Sequence, residues 1–260
     1  MITLTLAALA LLQQQPLERR VTGAPDGTVR FSFAAKPGVY GNGRNMINWD
    51  CDNGNCHNRQ VDNYSDADHN DWNMACDSGP VRVALTKRGA TITDLRVYVG
   101  GEWRPSTTAT DLGTVGTKDA ATYLLALAFK DESRASEKAI FPAVLADSVT
   151  IWPDLLKIAK ADNVSKKVRR SAVFWLGQAA GGAATRGLTD LVDDGNADRE
   201  VRETAVFALS QRPRDEGVPA LIRIARQNKD PDLRRKAIFW LGQSDDPRAL
   251  SLFEELLTKP

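Results

Sequence analysis

The side chains best suited to chemistry are gathered in one stretch. Residues 42–77 hold all three cysteines (Cys51, Cys56, Cys76), both histidines (His57, His69) and seven aspartates (50, 52, 62, 66, 68, 71, 77), against two arginines, Arg44 and Arg59. A stretch of this length without helical or strand periodicity is as a rule functional or pinned by cross-links. Four chemistries fit the inventory and stay open side by side. A disulfide from Cys51 or Cys56 to Cys76 would staple the loop to the strand starting at Pro80, leaving one thiol over. Zinc would find tetrahedral donors in Cys51, Cys56, Cys76 and either His57 or His69, although the C-x4-C spacing is loose. Covalent haem is suggested by C-x4-C-H over residues 51–57, with His69 or Met74 as a second axial ligand; the usual attachment spacing is C-x2-C-H. Calcium would use Asp66, Asp68 and Asn70 at loop positions 1, 3 and 5 and Asp77 at position 12. Position 6 holds Asp71 where a glycine is wanted, and Asp77 is shorter than the usual bidentate Glu. No resident cofactor is expected, calcium and zinc being the two metals the loop could serve.

The elements around this loop are strands. Residues 28–34 read TVRFSFA, with Val29, Phe31 and Phe33 on one face, and residues 80–86 read PVRVALT with the same alternation. Residues 90–100, ATITDLRVYVG, continue it after the turn Lys87-Arg88-Gly89, so a small antiparallel sheet is expected across 24–103. Residues 104–118 have linker composition and lead to a helix near Asp119. Ahead of the strands, residues 1–12 read MITLTLAALALL, too short for a bilayer span, which needs roughly 20 residues. The run matches the apolar core of a secretory signal without the usual basic start, and Ala8-Leu9-Ala10 fits an A-x-A cleavage site. Residues 1–15 are therefore expected to be a signal peptide, and the protein to be periplasmic or secreted, where cysteines can pair.

The remainder is repetitive. Residues 168–178 (VRRSAVFWLGQ), 201–211 (VRETAVFALSQ) and 233–243 (LRRKAIFWLGQ) align at offsets of 33 and 32. A period of this size signals a solenoid whose units bury their apolar faces only by stacking. Ala139-Ile140-Phe141, 33 residues before Ala172-Val173-Phe174, marks a degraded upstream copy with Pro142 in the place of Trp175. Each unit reads as two helices. The second follows a capping residue, Ser165, Asp198 or Asp230, able to accept from free amides of the first turn. The first starts near Pro153 or Pro219, with apolar positions 155, 156, 158, 159 and 221, 222, 224, 225 on one face. A last helix from Pro247 to Leu257 is expected to bury Leu250, Phe253, Leu256 and Leu257 and to cap the array.

A D-x-x-[VL]-R-x-x-A-[VI]-x-x-L pattern on two-helix units resembles HEAT repeats, in particular the short bacterial kind called HEAT-like or bilin-lyase-like. The resemblance covers roughly residues 117–260. It implies an α-solenoid of about four repeats over 119–260 plus the capping helix, a mainly α protein preceded by a small antiparallel β element. Some relatives act on tetrapyrroles, but no Cys or His follows Cys76, so that chemistry is not carried over.

A net charge of +1 excludes the electrostatic footprint of a nucleic-acid binder, and the balance holds in each half, 11 basic and 12 acidic groups falling in residues 1–116. Neither a catalytic triad nor a glycine-rich phosphate loop can be assembled, and nothing points to a small-molecule substrate or a membrane span in the mature chain. The expected function is a non-catalytic envelope scaffold that binds another protein. Two residue columns are candidates for that contact: Arg169, Arg202 and Arg234, and Trp175 with Trp240, Ala208 standing between them in the middle unit. The same residues could instead serve the fold, the arginines bridging to caps and loop carbonyls of the next unit and the tryptophans packing between units. The alternatives are a metal or haem protein with its site at 51–77, or a redox-sensing module using the three cysteines.

Overall fold

The computed structural model describes residues 15–41, 43, 47–48, 51–52, 55–56, 77–130, 133–179 and 181–258. The chain divides into two compact units, Met1–Val149 and Thr150–Pro260.

The first unit runs α1 (Leu17–Gly23), β1 (Gly27–Phe33), β2 (Tyr40–Gly41), β3 (Ile47–Asn48), β4 (Cys51–Asp52), β5 (Asn55–Cys56), β6 (Asp77–Ser78), β7 (Val81–Arg88), β8 (Thr91–Val99), β9 (Ala109–Thr114), α2 (Thr117–Lys130) and α3 (Arg134–Val144). Its main sheet has the order β8-β7-β1-β9. The expected antiparallel pairs are there, with Phe31 opposite Val83 and Val83 opposite Val97. The β7–β8 hairpin turns over Gly89, whose φ of +57° a side chain would resist.

Residues 109–114 depart from the linker expectation, because they form β9, parallel to β1. Arg30 holds this edge from two sides, through Asp111 at 2.9 Å and the Arg104 carbonyl at 3.0 Å. Threonines and an aspartate read as linker, yet they suit an edge strand whose ladder hydrogen bonds come from β1. Phe31, Phe33, Val83 and Leu95 are all buried beneath the helices, and Tyr123 of α2 meets Phe31 edge-on at 6.3 Å. Burial of each such side chain contributes about 1.5–3 kcal/mol. The helix pair α2/α3, expected as the first repeat, falls in this unit and α3 packs on β8. Ser133 caps α3, and Pro142 sits inside its last turn.

The second unit is the array: α4 (Trp152–Lys160), α5 (Lys166–Gly177), α6 (Gly182–Asp193), α7 (Arg199–Ser210), α8 (Arg214–Gln227), α9 (Pro231–Gly242) and α10 (Pro247–Thr258). First helices α4, α6, α8 and α10 form one layer, and second helices α5, α7 and α9 the other. The second helices approach one another more closely than the first helices do, which sets them on the inner side of the stack. Gly177 permits part of this, since a Cβ there would lie 3.0 Å from the Ala208 carbonyl oxygen and 3.1 Å from its Cβ. The small Ala208 thus serves the α5–α7 approach.

Three local expectations are corrected. Ser165 and Asp230 cap their helices through the Val168 and Asp232 amides, but the Asp198 side chain makes no cap bond because Arg169 takes its carboxylate. The helix containing Pro219 starts at Arg214, five residues earlier than the proline suggests. Pro219 lies on the exposed side, where its missing donor is tolerated, while Val218, Leu221 and Ile224 keep the opposite face buried. The third correction concerns α10. Leu250 is 63% exposed, Leu256 46% and Leu257 87%, and Phe253 is half-buried; only Ala249 and Leu252 are buried. Among the described residues no second helix follows α10 to cover them.

Candidate functional site

The second-helix layer carries a row of aromatic side chains at equivalent repeat positions. Phe174 of α5 stacks on Phe207 of α7 with ring centroids 6.4 Å apart, and Phe207 meets Trp240 of α9 at 5.0 Å. Trp175 closes on Phe174 edge-on at 5.1 Å, and Phe239 on Trp240 at 5.0 Å. Trp175, Phe207 and Trp240 are half-buried, and Phe174 is 38% exposed. A core aromatic would be covered on all sides, so this row combines inter-repeat packing with a face left to solvent.

Beside the row lies a groove of about 300 Å³ lined by Arg170, Glu200, Glu203, Thr204, Phe207, Lys236 and Trp240. Its charges are paired across repeats: Arg170 to Glu200 at 3.2 Å and Lys236 to Glu203 at 3.3 Å. These pairs are half-exposed and are worth little to stability, about 0–1 kcal/mol each. They leave the groove with both signs of charge around an aromatic centre, an arrangement suited to polypeptide rather than to a single small anion or cation.

The arginine column has a different position. Arg169 is buried, its guanidinium engaged by Asp198 of the next repeat and 3.8 Å from Asp162. Arg202 donates to the Val192 carbonyl at 3.0 Å and lies 3.6 Å from Asp230. Arg234 donates to the carbonyls of Asn228 and Lys229 at 2.8 and 3.3 Å. A further arginine, Arg212, is buried and binds the carbonyls of Gly177, Ala179 and Gly181 together with Thr185 and Glu216. It ties α5, α6 and α8 through groups that would otherwise be unsatisfied helix-end carbonyls. Glu216 is held below its usual carboxylate range by hydrogen bonds from Thr185 and Arg212. Asp246, bonded by the side chain and backbone N–H of Arg248, is lowered to about 2.

In the first unit, Cys51 and Cys56 stand directly opposite each other in the β4–β5 ladder, and Asp77 pairs with Gly41 across β2 and β6. Cys76, His57, His69, Asp66, Asp68 and Asn70 lie outside the described residues. Close to the anchored ends of this stretch, Arg82 is buried between the rings of Tyr98 and Trp103, at 5.6 and 4.8 Å from their centroids, and donates to the Gly43 carbonyl at 2.7 Å.

Phe174, Phe207 and Phe239 were not singled out from the sequence, although the three-repeat alignment places a phenylalanine in every unit at this position. The repetition was legible; which side the ring faces depends on how closely α5, α7 and α9 approach.

Stacked pairs of antiparallel helices, with a continuous core and an inner layer bearing a half-exposed aromatic row, define an α-solenoid, a class built to present extended surface. The family model for HEAT repeats matches residues 185–260, so this part of the chain is similar to HEAT repeats. No curated protein matches the chain. Proteins of the HEAT-repeat type typically mediate protein interactions and are generally non-catalytic. No helix among the described residues is long and apolar enough to cross a membrane.

Proposed function

We propose that this protein is a non-catalytic scaffold of the cell envelope, binding a partner polypeptide along the inner layer of its HEAT-repeat unit. The observation that carries the reading is the aromatic row Phe174, Trp175, Phe207 and Trp240, partly open to solvent beside a 300 Å³ groove of mixed charge. Aromatic side chains supply much of the energy at protein interfaces when water is excluded around them. The arginine column has a supporting part, since Arg169 and Arg202 fix the register of the helices that carry the rings. Export is supported by the apolar, signal-like residues 1–12.

The test is affinity capture on the full chain from an envelope fraction, alongside a Phe207→Ala/Trp240→Ala variant. One discrete partner retained by the wild type and lost by the folded variant is the expected result. Equal capture by both, or turnover of a small molecule by the purified protein, would overturn the reading.

A further inference from the structure

We infer that Cys51 and Cys56 form a disulfide with each other, closing the tip of the β4–β5 hairpin by exchange with a disulfide-bearing oxidant, and that Cys76 stays outside the pair. The inference rests on backbone register and is independent of the aromatic row. Only the presence of the bond in the cell rests on the envelope reading above, because that compartment is the oxidising one.

Strands β4 and β5 make an antiparallel ladder of their own, with Asp52 opposite Asn55 and Cys51 opposite Cys56. The two residues between the strands are Asn53 and Gly54, the sequence that two-residue hairpin loops favour. Directly opposed residues of an antiparallel ladder share one face, with Cα atoms about 5.5 Å apart in a hydrogen-bonded pair and about 4.5 Å apart in a non-bonded one. A disulfide spans Cα separations of about 4.4–6.8 Å, so both kinds of pair meet its geometry. With Asp52 and Asn55 as the hydrogen-bonded pair that closes the loop, the alternation makes the cysteines the closer, non-bonded kind.

Cys76 has a different setting. The residue that follows it, Asp77, pairs with Gly41 in the sheet of order β3-β2-β6, which β4 and β5 do not join. A bond from Cys51 or Cys56 to Cys76 therefore has to link two ladders, whereas the Cys51–Cys56 bond uses a register already made. The chemistry is thiol–disulfide exchange. One cysteine thiolate attacks a sulfur of the donor disulfide and releases one donor thiolate. The second cysteine thiolate then attacks its partner's sulfur in the mixed disulfide and displaces the other donor thiolate. Two cysteine thiols are oxidised to one disulfide, the donor disulfide is reduced to two thiols, and the two protons pass from the cysteines to those thiols. Once both sulfurs share a bond, neither is a thiolate for zinc or for haem attachment.

The test is peptide mapping of the full-length protein, reduced, equilibrated with oxidised glutathione and then alkylated. Trypsin cuts after Arg44, Arg59 and Arg82, so Cys51 and Cys56 fall in one peptide, 45–59, and Cys76 in another, 60–82. The expected result is a peptide 45–59 without alkyl groups and lighter by two hydrogens, beside an alkylated peptide 60–82. In a titration across glutathione redox buffers, the midpoint for this pair should be unmoved by Cys76→Ser. Peptides 45–59 and 60–82 joined by a bond, a peptide 45–59 still alkylated at both cysteines, or a midpoint shifted by Cys76→Ser would overturn the pairing. Alkylation of intact cells before lysis separates the two readings: a pair that glutathione forms in the purified protein, but that is found as thiols in the cell, upholds the pairing and counts against export.

Discussion

The interior helices of the array and α10 are built from the same repeat, yet the same positions are buried to different degrees in the two places. At α6 and α8 the apolar stripe is buried and the residues around it are locked by Arg212 and by arginine-to-cap contacts. At α10 the stripe has three leucines and a phenylalanine, and none of the four is buried, Leu257 being 87% exposed. A repeat sequence specifies a face, but burial of that face is supplied by the helices packed against it, the second helix of its own unit foremost. Apolar periodicity therefore reports what a helix can bury, and contact geometry decides whether it does.

Equivalent substitutions at the two places should break this parity by very different amounts. The largest effect is expected at Arg212, where removal strands several carbonyls and Glu216: Arg212→Ala should cost about 3–5 kcal/mol in denaturant unfolding. The equivalent position between α9 and α10 is Ser244, whose hydroxyl donates to the Leu241 carbonyl at 2.7 Å, so Ser244→Ala should cost at most about 1 kcal/mol. Next, Leu191→Ala should cost about 2–5 kcal/mol, as cavity formation in a packed core does. Its counterpart Leu256→Ala should stay within about 0.5 kcal/mol. If the two leucine variants lose equal stability, α10 is covered and the distinction fails.

Smaller differences sharpen the comparison. Arg169→Met removes the buried partner of Asp198, leaving it only Lys166 at 4.0 Å, and should lower stability by about 1–3 kcal/mol, whereas Arg234→Met should lower it by less than about 1. The acid limb is the mildest test. Glu216 and Asp246 both have folded values below their ordinary ones, Asp246 at about 2 against 3.8. A depressed carboxylate stabilises the fold fully above its unfolded value and loses that contribution as pH falls through the folded value. Thermal midpoints should therefore drop between pH 4 and 2, and Asp246→Asn should make the drop shallower.

Much of this architecture was legible in the residues. The 33- and 32-residue spacing of VRRSAVFWLGQ, VRETAVFALSQ and LRRKAIFWLGQ specified the helix pairs, and Val29, Phe31 and Phe33 specified the buried face of β1. Strand β9 was hidden because a polar edge strand has the same composition as a linker, and its pairing with β1 lies some 80 residues away in sequence. The candidate face was half legible. Trp175 and Trp240 stood out by type, while Phe207 gained its meaning only from lying 5.0 Å from Trp240. The Arg169 column could be read as a binding stripe or as a register lock until Arg169 was seen buried against Asp198.

The most direct test of the scaffold reading places a photo-crosslinking amino acid on each layer of the full-length protein in the envelope. Lys236 borders the aromatic groove, and Asp190 is exposed on α6 in the opposite layer. The expected result is a discrete polypeptide adduct from position 236 and none from 190. Adducts absent from both positions, or equal at both, would contradict an inner-layer binding face.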